Sequence, residues 1–589
     1  MRKKTLPESR IFRKVLCLLT AAGLVLGGCG SDEGNDSTGE GSSSDAGASG
    51  SSVAGEPAGD GNSSGEEEWV DLNIIAVAGN YASIENAVGS PVYEKIQEDT
   101  KVNLTVTPMD ADKWNVTMSG GDTTDIIVFH LSQYIKPMVE SELVIPLDEL
   151  ISQYGPNVSA RSPESLEYAA EISGDGKIYC LPYGVGLEGG NSKATNSALL
   201  TRWDLYKQIG APELTSMQDY AEALAEMVAL EPVTEGGLPV YGVALYTAEN
   251  SFTSLIQYAR CMGFEQFNDW IATRIKDGTM SYAYTDEDSS FWQALEFCQK
   301  AYELGILDPD SFTQKLDDYQ AKEDNGQILT PVWRDHVKDL QQRWMEAGSQ
   351  KGYAILPMEG TFIAENKNSV CGAAFGFAIA STCKNPQRAM QLIDYLCKPE
   401  TSRMIYSGME GEDWEIVDGV PVPTQEAIEL KNAGGDAFNA TGINNAALYG
   451  MAGLARGVMM EDGAVTDLYR SEGFHPMNVN SVDLDFCAFY GDYAYPNQVL
   501  LDKGTSDLSG LNMRIASGYG QAPEDIQRID ARLLELALRS VPGIIMTDSR
   551  EDFEKAKEEA IAAFREAGAE ESRAWWQGRW DELNAKYGK

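Results

Sequence analysis

From Asp71 onward, short apolar β-branched runs alternate with stretches whose apolar residues recur three and four apart. That alternation restricts the fold more than any other feature. Asp71-Leu-Asn-Ile-Ile-Ala-Val-Ala78, closed by Gly79-Asn80, reads as a first strand. Pro91 to Glu98 reads as a helix, and Val102 to Pro108 alternates as a second strand. Asp110 to Ser119 is a helix broken by Gly120-Gly121, and Asp125-Ile-Ile-Val-Phe129 is a buried third strand. Strands separated by helices imply a parallel sheet covered on both faces. Further on, Lys177 to Tyr183 is strand-like, while Leu199 to Gln208 and Ser216 to Leu230 read as helices. Thr215-Ser216 with Asp219 supplies a cap and an acidic first turn to the latter.

Residues 1–28 are not fold material. Arg2, Lys3, Lys4, Arg10, Arg13 and Lys14 precede a mostly apolar run, Val15 to Leu26, too short to span a bilayer as a helix. Leu26-Gly27-Gly28-Cys29 then looks like a bacterial lipobox, with residues 1–28 as signal peptide and Cys29 as the lipidated residue. An ordinary secretory signal that contains a Cys is the alternative. Residues 30–68 hold ten acids, no base and almost no large apolar residue. Such a segment cannot bury enough surface to offset its ordering entropy, so 29–70 is expected to be a disordered acidic tether. More than one acyl chain, palmitate among them, would hold the chain to the extracytoplasmic face of the cell membrane.

Charge and composition exclude several functions. With 46 Lys+Arg against 90 Asp+Glu the net charge is −44, which argues against nucleic acid as a partner. Only His130, His336 and His475 are present, far apart, so no multi-His metal centre is expected. No EF-hand run appears, and the cysteines after Cys29 show no CxxC spacing. Gly184-Val-Gly-Leu-Glu-Gly189 formally matches a dinucleotide fingerprint but lacks the following helix, strand and acid. The GxSxG at Gly61 to Gly65 lies in the tether, not between a strand and a helix. No catalytic residue, cofactor or metal is assigned.

Five segments in order resemble the extracellular solute-binding proteins of ABC sugar importers, family 1-like, in the large Gram-positive lipoprotein subgroup. They are Trp114-Asn115 through Gly121-Asp122-Thr-Thr-Asp125-Ile-Ile127, Asp175-Gly-Lys-Ile-Tyr-Cys-Leu-Pro-Tyr183, and Leu200-Thr-Arg-Trp203 through Gly210 with Thr215 and Tyr220. The fourth comprises Asn385-Pro386, Ile393-Asp394-Tyr395-Leu396 and Gly408-Met-Glu410-Gly411; the fifth is the tail from Asp548 to Leu583. The loop at Gly121 departs from the family's pattern, with an extra Gly, Thr123-Thr124 and no Pro.

The resemblance implies an α/β, two-lobed periplasmic-binding-protein-like fold (type II), hinge-linked lobes with central mostly parallel sheets. Lobe 1 would span 71–198 and lobe 2 would span 199–365, with 366–589 returning to lobe 1 and ending in helices packed on both lobes. It implies a monomer that captures a sugar or oligosaccharide in the cleft and hands it to ABC permease transmembrane subunits, with no chemistry of its own. A secreted carbohydrate-active enzyme using a carboxylate pair, or a non-transport surface binding or sensory lipoprotein, are the alternatives.

Sugar hydroxyls need planar hydrogen-bonding groups, and sugar C–H faces need flat aromatics. Trp333, in a segment similar to one that supplies a stacking Trp in maltose-type relatives, is the first candidate contact. Tyr183, Tyr81, His130, Gln133, Glu188, Arg334 and His336 follow, each at the end of an expected strand or beside the expected crossing. Each also has a packing or solvated-loop reading, and Trp333 could instead be a core residue anchoring the next helix. Trp114, Trp203, Trp292, Trp575 and Trp576 sit in helical patterns and read as core; Trp414 could be either. Tyr490, Tyr493 and Tyr495 read as covering a loop.

Overall fold

The computed structural model describes residues 68–77, 89–109, 111–120, 124–187, 199–248, 252–260, 262–266, 271–274, 277–332, 335–358, 363–364, 368–372, 375–443, 451–471, 474, 479–503, 506–507, 515 and 522–587. In chain order the strands that frame the molecule are β1 (Val70–Val77), β2 (Val102–Met109), β3 (Ile126–His130), β4 (Leu181–Pro182), β5 (Gly186–Leu187), β6 (Leu200–Arg202), β7 (Tyr353–Ile355), β8 (Asn368–Ser369) and β9 (Phe375–Ile379).

A five-stranded sheet in the order β2-β1-β3-β9-β4 forms the first body. β1 pairs parallel with β2 and β3, whereas β9 runs antiparallel to both β3 and β4. Four of the five strands therefore share one direction, and the sheet is mixed rather than simply parallel. Successive side chains of a strand point to opposite faces. Leu72, Ile74 and Ala76 of β1 accordingly feed one core, and Ile75 and Val77 feed the other. Ile126 and Val128 against Ile127 and Phe129 divide in the same way.

The helices that cover the sheet carry their own start and stop signals. Ser90 accepts from the Tyr93 N–H at 3.3 Å, Pro91 opens the helix Pro91–Thr100, and Lys101 closes it with left-handed backbone. On the same face the Asp394 carboxylate of helix Pro386–Leu396 accepts from the Asn157 and Val158 N–H groups at 2.7 and 3.0 Å. It thereby satisfies the first turn of helix Pro156–Arg161.

The second body contradicts one expectation. Leu199 to Arg202 is not helical: β6 pairs antiparallel with β7, and the helix begins only at Trp203. Leu199 through Trp203 are all buried, so a strand covered on both faces shows no period of two and its apolar run mimics a helix. Arg202 is fully buried here; its guanidinium grips Asp204 through two bonds of 2.9 Å and stacks 4.8 Å from the Trp344 ring.

Residues 327–330 extend beside β6, with Arg202 N–H on Leu329 O, Leu329 N–H on Tyr241 O and Tyr241 N–H on Gln327 O. This sheet is otherwise built from single bridges, such as Val243 with Leu307. Helices Ser290–Glu303, Glu524–Ile545, Arg550–Glu566 and Ala569–Tyr587 blanket it. They join one core containing Trp292, Phe297, Phe553, Phe564, Trp576 and Leu583. Inside that layer the buried Asp530 carboxylate accepts from Trp576 Nε1 at 3.1 Å and from Ser572, which accepts from the Tyr282 hydroxyl at 2.8 Å.

The chain leaves the first body through β5 and returns through β8, and these two strands pair antiparallel. Gly186 of β5 has φ 132° and lies so close to Val458 that a Cβ would stand 2.5 Å from its Cγ2. Only glycine fits that crossing. The six cysteines among the described residues are free.

Candidate functional site

Ligands of open α/β sheets bind outside the carboxyl ends of the strands. In the first body β3 ends at His130 and β4 is followed by Tyr183, and antiparallel β9 brings its first residue, Phe375, to the same edge. Phe375 is the register partner of His130, and its carbonyl accepts from the Tyr183 N–H at 3.2 Å. The backbone therefore fixes three aromatic rings side by side. Phe375 meets His130 edge to face at 5.0 Å and stacks on Tyr183 at 6.2 Å with 16° between planes, while Phe377 braces Tyr183 from below at 6.3 Å. The approach of β4 to β9 depends on Gly376, where a Cβ would lie 2.4 Å from Leu181 O.

Phe375 is buried, and His130 and Tyr183 are half-buried. Burial pushes the His130 pKa below its ordinary value, so the imidazole is held neutral, with one donor and one acceptor nitrogen. His130 occupies the N-cap position of helix Leu131–Glu140 without capping it. The half-buried His130 and Tyr183 rings, backed by buried Phe375, form an aromatic edge suited to the C–H face and hydroxyls of a pyranose or furanose ring.

The structure thus brings His130 and Tyr183 together and adds Phe375. The sequence reading missed Phe375, although a signal existed: Phe375-Gly-Phe-Ala-Ile379 is a continuous apolar run, and a strand returning antiparallel places its first residue at the site edge.

His336 is not part of this group. It sits on the second body, its Nδ1 2.8 Å from Glu323 Oε2 and its Nε2 3.3 Å from Gln320. Glu323 is fully buried, and that burial raises its pKa despite the imidazole beside it. Tyr81, Glu188, Trp333, Arg334 and Cys29 lie outside the described residues, as does the side chain of Gln133. Trp333 follows directly on Val332, whose N–H donates to the Tyr319 hydroxyl at 3.1 Å.

The other aromatics are accounted for by packing. Trp114, Trp203, Trp292 and Trp576 are buried, and Trp575 packs against the same core as Trp576. Trp414 is also buried and donates Nε1–H to Gly408 O at 3.0 Å. Tyr490 packs on Trp203 and Phe486, Tyr493 donates to Asp502, and Tyr495 is buried. Among the described residues no group of three His, Cys, Asp or Glu is placed to hold a metal ion.

Residues 92–411, just over half of the chain, match the family model described as bacterial extracellular solute-binding protein. A fructooligosaccharide ABC transporter substrate-binding protein, FusA of Streptococcus pneumoniae, is 22% identical over 337 residues, 55% of this chain. The match spans 60% of that relative's own length.

Among solved structures, an alginate-binding protein, AlgQ2, aligns over 88% of this chain and 99% of its own with 15% identity and a TM-score of 0.56. A human-milk-oligosaccharide (HMO) binding solute-binding protein from Bifidobacterium longum infantis aligns over 88% and 99% with 13% identity and a TM-score of 0.57. A FusA EF-hand mutant from S. pneumoniae in complex with fructo-nystose aligns over 88% and 100% with 16% identity and a TM-score of 0.56. These likenesses give the fold, a two-lobed periplasmic-binding-protein-like (type II) architecture with a mixed central sheet in the first lobe. On the match over residues 92–411, the chain belongs to the bacterial extracellular solute-binding protein family.

Proposed function

We propose that this chain is the extracytoplasmic substrate-binding lipoprotein of an ABC importer, which captures an oligosaccharide between its lobes and delivers it unaltered to a membrane permease. The observation that carries this reading is the aromatic group of His130 and Tyr183, backed by Phe375, at the carboxyl edge of the first-lobe sheet. The similar proteins named above bind fructooligosaccharides, human-milk oligosaccharides and alginate. A neutral imidazole does not attract a carboxylate, which favours a neutral sugar over a uronate.

Trp333, which follows Val332, is the proposed stacking residue of the second lobe. Lobe 1 is proposed as 71–198 and lobe 2 as 199–365, with 366–589 returning to lobe 1 and ending in helices. Closure about the β5–β8 crossing draws on the ligand's higher affinity for the closed state. Residues 1–28 serve as signal peptide, Cys29 carries the lipid, the tether ends before β1, whose first residue is Val70, and the working unit is a monomer.

A thermal-shift screen of neutral and acidic oligosaccharides, with peptides as controls, tests the reading. A ligand of the folded state at a hundred times its Kd adds about 2.7 kcal/mol and raises Tm. The expected result is a saturable rise with neutral oligosaccharides and recovery of the sugar uncleaved by mass spectrometry. A rise with peptides alone, or recovery of a hydrolysed sugar, overturns it.

A further inference from the structure

Two short hairpins stand on one base in the first lobe. The first consists of β10 (Trp414–Val417) and β11 (Val420–Pro423), joined by Asp418-Gly419 with φ 52° and 86°. A two-residue turn with left-handed backbone at both positions matches the twist of the strands it joins. In the second, Met459 bridges Val465, and the Met460 N–H donates to Ala464 O at 2.8 Å.

Their common base is a small core of Trp414, Ala464 and Leu468. Buried Arg403 locks it: one Nη bonds Asp462 Oδ1 at 3.0 Å, and the guanidinium lies 5.6 Å from the Trp414 ring centre. Asp413 Oδ2 accepts from the Met409 N–H at 2.8 Å, fixing the entry to the first hairpin. The hairpins are therefore preorganised.

Above this base, apolar side chains face water: Ile416, Val417 and Val420 are 52, 45 and 43% exposed, and Met459 is 50% exposed. The rim is acidic, with Glu412, Glu415, Asp418 and Glu461 exposed. From Met404 to Leu430 the sequence has seven acids and no Lys or Arg.

The geometry points to these paired hairpins as a docking surface for a protein whose contact face is an apolar pocket rimmed by Lys or Arg. Charge complementarity selects that occupant. An anionic lipid surface repels the rim, a second copy of this chain brings like charges against it, and a small solute needs a concavity that a projecting hairpin does not offer. Resting on the importer reading, the partner is the extracytoplasmic face of the permease. β-branched residues also favour strands for their own sake, so the test keeps the branching and removes the apolar surface.

The full-length lipoprotein is expressed in its host with a photoreactive residue at Val417 or, as control, at Leu230, which is 51% exposed on helix Met217–Leu230 of the second lobe. Crosslinks to a permease transmembrane subunit are expected from Val417 and not from Leu230. The Ile416→Thr/Val420→Thr pair is expected to cut the yield about tenfold, a change of 1.4 kcal/mol, and Glu412→Lys/Glu415→Lys to lower it further. Tm and the sugar-induced rise in Tm stay unchanged in both variants. Crosslinks from Val417 only to lipid, to a second copy or to a different membrane protein overturn the proposal, as does equal yield from both positions or no effect of the Thr pair. The sugar screen uses protein without any partner, so a failure of sugar binding is seen separately from a failure of docking.

Discussion

The two lobes solve the same problem, a covered α/β sheet, by different means. In the first, long strands alternate their side chains between two cores, and one of these is closed by helices from far downstream, Pro386–Leu396 and Pro399–Ser407. In the second, the sheet is little more than β6, β7 and a set of single bridges. Its cohesion comes from local helices such as Met217–Leu230 and Ser290–Glu303 packed together with the C-terminal helices from Glu524 onward. The first lobe is organised by a continuous five-stranded sheet and the second by helices packed on short strands. The first therefore offers a rigid edge on which a binding surface can be built, and the second depends on its C-terminal blanket.

Removing the last two helices, Arg550–Glu566 and Ala569–Tyr587, breaks this contrast most severely. Phe553, Phe564, Trp576, Trp580 and Leu583 are all buried, and each contributes about 1.5–3 kcal/mol. Together they rival the ~5–15 kcal/mol that keeps a domain folded. Limited proteolysis of the shortened chain is expected to digest the second lobe and spare the first. Equal resistance of both lobes would refute the division.

A smaller and opposite effect is expected for Asp394→Ala. It strips the acceptor from the Asn157 and Val158 N–H groups, and bonds to charged acceptors of this kind contribute about 1.5–3 kcal/mol. Calorimetry should show the first lobe melting earlier and the second unchanged. A shift of the second lobe alone would contradict the account.

Phe375→Leu keeps apolar volume and removes the ring that stacks on Tyr183. Aromatic contacts contribute about 0.5–1.5 kcal/mol beyond their area, so sugar affinity should fall roughly 2- to 13-fold. Phe564→Leu, in the second-lobe core, should lower Tm and leave affinity alone. If both variants behave alike by titration calorimetry, Phe375 is a packing residue only.

The smallest effect concerns pH. Burial holds the folded His130 pKa below the unfolded value of about 6.5, so under mildly acid conditions the unfolded chain binds the extra proton. Stability therefore falls as pH drops below about 6.5, with this residue contributing at most ~1.4 kcal/mol per pH unit. His130→Gln should flatten that part of the profile relative to the parent chain. Identical slopes in parent and variant would remove His130 from the account.

Legibility in the sequence followed the same contrast. β1 to β3 were readable because polar and apolar residues alternate or cluster over five to eight positions between glycines and caps. Leu199 to Arg202 was misread as helix because a doubly buried strand carries no period. The segment before Val332, which the resemblance implies to be a strand, holds only the single bridge of Ile328 with Tyr241.

At the site, His130 and Tyr183 could be placed because each terminates a strand pointing at the edge. Phe375 escaped because its strand runs the other way: the apolar run Phe375–Ile379 marks a strand but not its direction, and only the antiparallel pairing puts its first residue at the edge. His336, expected beside the cleft, is held by a buried carboxylate on helix Leu316–Asp324. That partner lies thirteen residues upstream and has no readable spacing rule.

The central claim is that two lobes shut around a sugar. Small-angle X-ray scattering of the protein, alone and saturated with an oligosaccharide that raises its melting temperature, tests it most directly. The account predicts a smaller radius of gyration with sugar, and a smaller contraction in Phe375→Leu at the same sugar concentration. A radius unchanged by a sugar that demonstrably binds would contradict it.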